Sequence, residues 1–258
     1  MFYRRLDDKK YTPTDLTNIY ADYPIFIIAG NPIIKTMPLE RLESSRLPTL
    51  ALNNVLYTYP NPTMWLTADK PDCYGAHFFS RPDIIKFAYM NYRDDLVGGK
   101  GRPLSSHPMM LFYTIDQSLK AENFFDELDP FIWWRSVFPT ALQAAWRLGA
   151  RRVYLVGCSF LTNQQTPYAW NAKLTDEQTR WSQATYNDDM RRLRHLKPKF
   201  QEHGFQLISC TENSRANEIL PYLQLSNAIE RELELMPQPT ATATSELKHS
   251  SEFKLPEA

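Results

Sequence analysis

A series of short apolar runs constrains this chain most. They are PIFIIA at 24–29, TLALN at 49–53, PTMWLTA at 62–68, RVYLVG at 152–157 and FQLISC at 205–210. Each is too short for a helix of ordinary length and suits a strand buried on both faces, as in a parallel sheet. DIIKFAYM at 83–90 fits a further strand. Helical patterns alternate with these runs. MPLERLESS at 37–45 carries Pro38 in a first turn, and VFPTALQAAWRL at 137–148 ends at Gly149. Residues 175–203 are rich in helix formers, with Pro198 as the expected break, and 217–234 reads as helical, interrupted at Pro221. The pattern predicts an α/β fold, a Rossmann-like, mostly parallel sheet flanked by helices, in a single domain over 1–235. Within it, 92–134 is expected as an irregular, aromatic-rich insertion or lid. The Pro-, Thr- and Ser-rich tail 236–258 is expected to be disordered.

The strand ends carry the polar residues. Gly30-Asn31, Asn53-Asn54, Asp69 and Gly157-Cys158-Ser159 each come after an expected strand. Ligands of open α/β sheets sit beyond the carboxyl ends of the strands, so these four ends are expected to converge on one crevice. Gly30 allows a tight turn and a close approach of ligand to backbone, and exposed amides at such a turn can bind phosphate. The turn is neither a G-x-G-x-x-G nor a Walker lysine loop, and a purely geometric role for its glycine is the competing reading. Asn53 and Asn54 can read a base or ribose, or simply form an Asx turn. Asp69 can grip a hydroxyl or a metal, or cap the turn after it. His107, beside Ser105 and Ser106 in a Gly/Pro-rich loop, can act as a base near neutral pH. The Trp133-Trp134-Arg135 cluster suits stacking on a base or sugar, or an ordinary core.

Composition limits the partners. Twenty-nine Lys and Arg balance twenty-nine Asp and Glu. A nucleic-acid coat would need a basic surface, so none is expected. Cys73, Cys158 and Cys210 form no C-x-x-C and are odd in number, which suits reduced thiols. The charged start MFYRRLDDKK lacks an apolar signal core, and no window approaches a bilayer span. A cytoplasmic location is expected.

Three separated segments together resemble a family. IIAGNPIIKTMPLERLESSRLPTLALNNVLY, ALQAAWRLGARRVYLVGCSFLTNQQTPYAW and CTENSRANEILPYLQL are similar, in order and spacing, to segments of the bacterial family-42 sialyltransferases. The same layout recurs in a wider Rossmann-like group with motility accessory factors and archaeal pterin diphosphokinase-like proteins. The resemblance covers roughly 24–57 and 137–224. It implies a transferase using a nucleotide-activated sugar, with a CMP-type donor. Gly30 and Asn31 would stand at the donor-phosphate loop and Asn53 at the turn contacting the nucleotide. Ser136 to Thr140 would lie near the donor-binding Ser-Gly segment. The chain departs from that pattern in three places. Pro32 directly succeeds Asn31 where the family has a second Gly. Gly157-Cys158-Ser159 replaces Gly-Ile-Asp. The stretch before the late helix, WSQATYNDDM, lacks the family's catalytic histidine.

The expected activity is therefore inverting transfer from a nucleotide sugar to a glycan or other hydroxyl acceptor. Asp188, Asp189, Tyr186 or His107 would be the base. The donor would be held by Gly30, Asn31, Asn53, Asn54, Asp69, Ser136, Thr140, Gly157 and Ser159. No Asp-x-Asp motif is present, so no required cofactor is expected. Two alternatives stand beside this one. The first is an inactive nucleotide- or partner-binding protein of the same fold. The second is a Mg²⁺-dependent diphosphokinase with Asp69 as a ligand. A homo-oligomer is compatible with either.

Overall fold

The computed structural model describes residues 1–7, 10–126, 130–162, 167–170 and 173–236. Beyond Met236, the tail expected to be disordered lies outside the described residues. The chain opens with strands β1 (Phe2–Arg5) and β2 (Tyr11–Thr14), then β3 (Ile25–Ile28). Helix α1 (Leu39–Ser45), β4 (Thr49–Leu52), β5 (Met64–Thr67), the single turn α2 (Ala76–Phe79) and β6 (Ile85–Tyr89) come after it. Next are β7 (Met110–Tyr113), β8 (Ile115–Asp116), β9 (Phe131–Ile132), α3 (Val137–Arg147) and β10 (Arg152–Val156). Helix α4 (Asp176–Glu202), β11 (Gln206–Ser209) and α5 (Leu225–Leu235) complete it.

Nine strands form one sheet in the order β11-β10-β3-β4-β5-β6-β7-β1-β2, and β8 and β9 form a separate pair. From β11 to β7 every pairing is parallel. The period-2 alternation of side chains splits the core. Ile25 and Ile27 of β3 face the layer of α3 and α4, with Leu142, Ala145 and Leu193. Phe26 and Ile28 face the other layer, with Leu42 of α1 and Ile229 of α5. Burial on both faces is why these strands read as continuous apolar runs.

The strand order reverses at β3. The chain leaves β3 for β4 on one side and returns to β10 on the other. In such a sheet this switch opens a crevice outside the carboxyl ends of the two strands. The turns after β3 and β10 carry Gly30 and Gly157.

The local structure differs from the sequence pattern in four places. The charged N-terminus forms the β1–β2 hairpin, which adds two antiparallel strands to the sheet edge. Pro13 is accommodated there because β2 is the edge strand. Pro198 does not break α4. Its ring is not buried, while Leu193, Leu196 and Phe200 anchor the core side, so the forfeited hydrogen bond falls away from the core. The helical stretch before Pro221 is only the 3₁₀ turn Arg215–Glu218. The 92–134 segment contributes β7 to the main sheet and the β8–β9 pair. Among the described residues no helix is long and apolar enough to cross a membrane.

Candidate active site at the strand switch

A cavity of about 540 Å³ lies at the switch. Gly30-Asn31, Asn53, Asp69 and Gly157-Cys158-Ser159 all line it, so the four strand ends meet as expected. Its other walls are Trp133 to Phe138 without Trp134, the 159–161 loop, Tyr168 with Trp170, and one face of α4.

The floor turns are tightly built. Gly157 has φ +70°, and a Cβ there would strike the Ile34 side chain and the Ala29 carbonyl. Gly30 does not leave an open approach on its Cβ side. That space is filled by the Trp170 indole, and the Ala169 amide donates to the Gly30 carbonyl at 2.9 Å. The Asn31 amide is engaged at both ends. Its Oδ1 accepts from the Ile33 amide at 3.1 Å, capping the turn Pro32–Thr36, and its Nδ2 donates to Ser159 Oγ at 2.6 Å. Asn31 thus clamps the ends of β3 and β10 together.

The next two strand ends are tied by one phenol. Tyr74, buried, donates to Asp69 Oδ2 at 2.9 Å, lies 3.4 Å from Asn53 Oδ1 and forms a short hydrogen bond with Thr67 Oγ1. Asn53 adopts φ +50°, and its carbonyl accepts from Trp65 Nε1 at 2.8 Å. The one phenol thus holds an amide and a carboxylate, Asn53 and Asp69, together on the cavity wall. Such a pair suits a hydroxyl-bearing ligand. Arg135 (φ +71°) and Phe160 (φ +55°) also line the cavity in the left-handed region. Strain of this kind concentrates at functional sites.

Helix α4 presents Ser182, Thr185, Tyr186 and Asp189 to the cavity, spaced three and four residues apart on one face. Asp189 is 1% exposed. Its Oδ2 accepts from Ser136 Oγ at 2.8 Å, and its Oδ1 is buried with no partner among the described residues. Burial pushes its carboxyl up to about 7, against the opposing pull of Ser136 and Arg192. Ser136 is the residue before α3, but its hydroxyl holds Asp189 rather than capping the helix. The amino end of α3, with Val137 and Phe138, also faces the cavity. Such an end favours negative charge. Burial, and Tyr168 beside it, hold the Tyr186 phenol far above its ordinary range, so it offers an O–H at neutral pH.

The remaining expected residues lie elsewhere. Asp188, one residue from Asp189, turns away and pairs with Arg191 at 2.8 Å on the surface. Thr140 is buried inside α3 and donates to the Ile132 carbonyl at 3.1 Å. Asn54 is not part of the cavity wall. His107 precedes β7, which runs parallel to β6, so it sits at the amino-terminal edge of the sheet, opposite the cavity. There burial, with Lys86 and Arg102 nearby, lowers its affinity for a proton. Tyr74, Trp181, Ser182 and Thr185 were not among the residues expected from the sequence. The last three share the helical phase of Asp189, the signal that could have found them.

Among the described residues, no group of three or more His, Cys, Asp or Glu is placed to hold a metal ion. The two carboxylates of the cavity wall are Asp69 and Asp189.

No family model matches the chain, and no curated protein matches it. Among solved structures, the chain is similar to the MAf glycosyltransferase from Magnetospirillum magneticum AMB-1, with a TM-score of 0.47 and 13% identity. The match covers 85% of this chain and 37% of that one, so this chain spans little more than a third of its neighbour's length. A likeness this distant carries no assignment of activity.

Proposed function

We propose that the chain is a glycosyltransferase that takes a sugar from a nucleotide donor, of CMP type, and passes it to a hydroxyl acceptor with inversion. The observation that carries this reading is Asp189. It is a buried carboxylate at a ligand-sized cavity, with one oxygen unpartnered among the described residues and a proton affinity matched to neutral pH. A general base works best when its pKa lies near the operating pH. Ser136 orients it, as a base in a catalytic pair needs.

In this reading the acceptor oxygen attacks the anomeric carbon from the face opposite the leaving group. The new C–O bond forms as the bond to the donor phosphate breaks. The acceptor proton passes to Asp189, and the phosphate leaves with the electron pair. Arg135 and the amino end of α3 meet the charge that develops on it. Asn53 and Asp69, fixed by Tyr74, bind hydroxyls of the nucleotide. Tyr186 donates to the donor or the acceptor. Charge stabilisation comes from these groups without a metal ion.

The test is a panel of CMP-, UDP-, GDP- and ADP-sugars, each with and without Mg²⁺, read by mass spectrometry for transfer and by thermal shift for binding. One donor class should raise the melting temperature with concentration and yield product without Mg²⁺. Asp189→Asn should bind that donor and lose turnover about 100-fold or more. Turnover by Asp189→Asn at the native rate would reject the assignment. Binding with no transfer or cleavage of any donor would leave a nucleotide-binding protein.

A further inference from the structure

A second, more open hollow of about 680 Å³ adjoins the first. It is lined by Lys35, Tyr57, Thr58, Ala169 and Trp170. Trp170 lines both, so one indole separates the two spaces. Lys35 stands in the last turn of the 3₁₀ segment Pro32–Thr36, is exposed, and has no ion-pair partner among the described residues. Tyr57 is 52% exposed, yet its ring is held edge-on by Phe78 at 4.9 Å and 78°. Trp170 is held by stacking on Tyr168 at 4.7 Å and 5°. Two aromatic rings are thus fixed by their neighbours at a solvent-open hollow whose wall also carries a cation.

We propose that this hollow is the acceptor subsite and takes an acidic sugar unit, a pyranose carrying a carboxylate. The inference rests on the transferase reading of the adjoining cavity. The C–H face of a pyranose is electropositive and meets the negative face of an aromatic ring, and its carboxylate pairs with Lys35. Thr58 offers a hydroxyl to the ring's polar edge. With the nucleotide in the inner cavity, the substrate still to be placed is the acceptor. A ligand against Trp170 would share that side chain with the cavity where the donor sugar would sit. Aromatic walls and a cation also suit a phosphate-bearing ligand, so the test separates the two anions.

The experiment titrates the full chain with methyl glucuronide, methyl glucoside, CMP and inorganic phosphate, by ligand-observed NMR. It compares the native protein with Lys35→Met and Tyr57→Ala. Both positions are exposed, and melting temperatures check that the variants fold. The expected result is glucuronide binding that weakens about fivefold or more in each variant, with glucoside weaker than glucuronide in the native protein. Three results would overturn the proposal. They are equal affinity for glucoside and glucuronide, unchanged glucuronide binding in Lys35→Met, or phosphate or CMP displacing glucuronide with an affinity that Lys35→Met reduces and Tyr57→Ala does not. Nucleotide-sugar binding measured on the same samples keeps the two readings apart. Donor binding without glucuronide binding removes the subsite and leaves the transferase. Glucuronide binding as expected, with no donor bound, keeps an acidic-sugar site and removes the transferase.

Discussion

Replacing Asp189 by Asn should stabilise the protein at alkaline pH. In the unfolded chain this carboxyl titrates near 3.8, and in the fold burial raises it to about 7. Between those values the folded state binds more protons than the unfolded state. Stability therefore falls as pH rises through that window and stays lowered above it. At about 1.4 kcal/mol for each tenfold change in proton affinity, the rise from 3.8 to about 7 sets an upper bound of about 4 kcal/mol on the cost of the charge. Asn removes the charge and keeps an oxygen for Ser136, but its new NH₂ finds no acceptor. An unsatisfied buried donor costs about 1–3 kcal/mol. The net gain at pH 8 is about 2 kcal/mol, or about 4–8 °C in melting temperature for a chain of this size. At pH 4 the native Asp189 is already neutral, so the gain should give way to a loss of about 1–3 kcal/mol from the unsatisfied donor. Thermal melts of both proteins at pH 4, 6 and 8 check this. Equal differences at all three values, or a destabilised variant at pH 8, would refute the electrostatic account.

Other predictions come from the packing. Gly157→Ala needs a side chain at φ +70° against Ile34 and the Ala29 carbonyl, and should cost about 2–4 kcal/mol in chemical denaturation, with loss of donor binding. Glu232 is fully buried, bonded to Arg152 Nε and Nη2 at 2.8–3.0 Å and to the Tyr154 hydroxyl at 2.5 Å. Glu232→Ala should cost about 3–5 kcal/mol, because Arg152 and Tyr154 lose their partner. Lys86 is fully buried, donates to the Arg81 and Ile84 carbonyls, and burial lowers its pKa to about 8. Between about pH 8 and 10.5 the unfolded chain holds the extra proton, so this group's contribution makes stability rise with pH there. Lys86→Met should flatten that rise in urea titrations.

Much of the site was legible because strand ends punctuate themselves. Continuous apolar runs exposed the buried strands, and Gly30, Asn53, Asp69 and Gly157 marked where each run met the crevice. Strand polarity then sorted the candidates, since a residue before a parallel strand, such as His107, cannot reach the edge that residues after strands occupy. Helical phase separates Asp189 from Asp188, once the span of α4 is known. The bond from Ser136 to Asp189 joins residues 53 apart, and the Trp170–Gly30 contact joins residues 140 apart. Neither has a local signature, because each arises only when the sheet assembles. The β1–β2 hairpin was hidden for another reason. An edge pair half open to solvent carries Arg4, Arg5 and Thr12 and shows no apolar run.

The most direct test of the central claim is the pH dependence of kcat/KM with the donor that binds. The rate should rise with a single ionisation near pH 7 and then level, as Asp189 becomes available to accept the acceptor proton. In Asp189→Asn that ionisation should disappear along with about 100-fold or more of the rate. A profile with no ionisation near 7, or one that Asp189→Asn leaves intact, would contradict it.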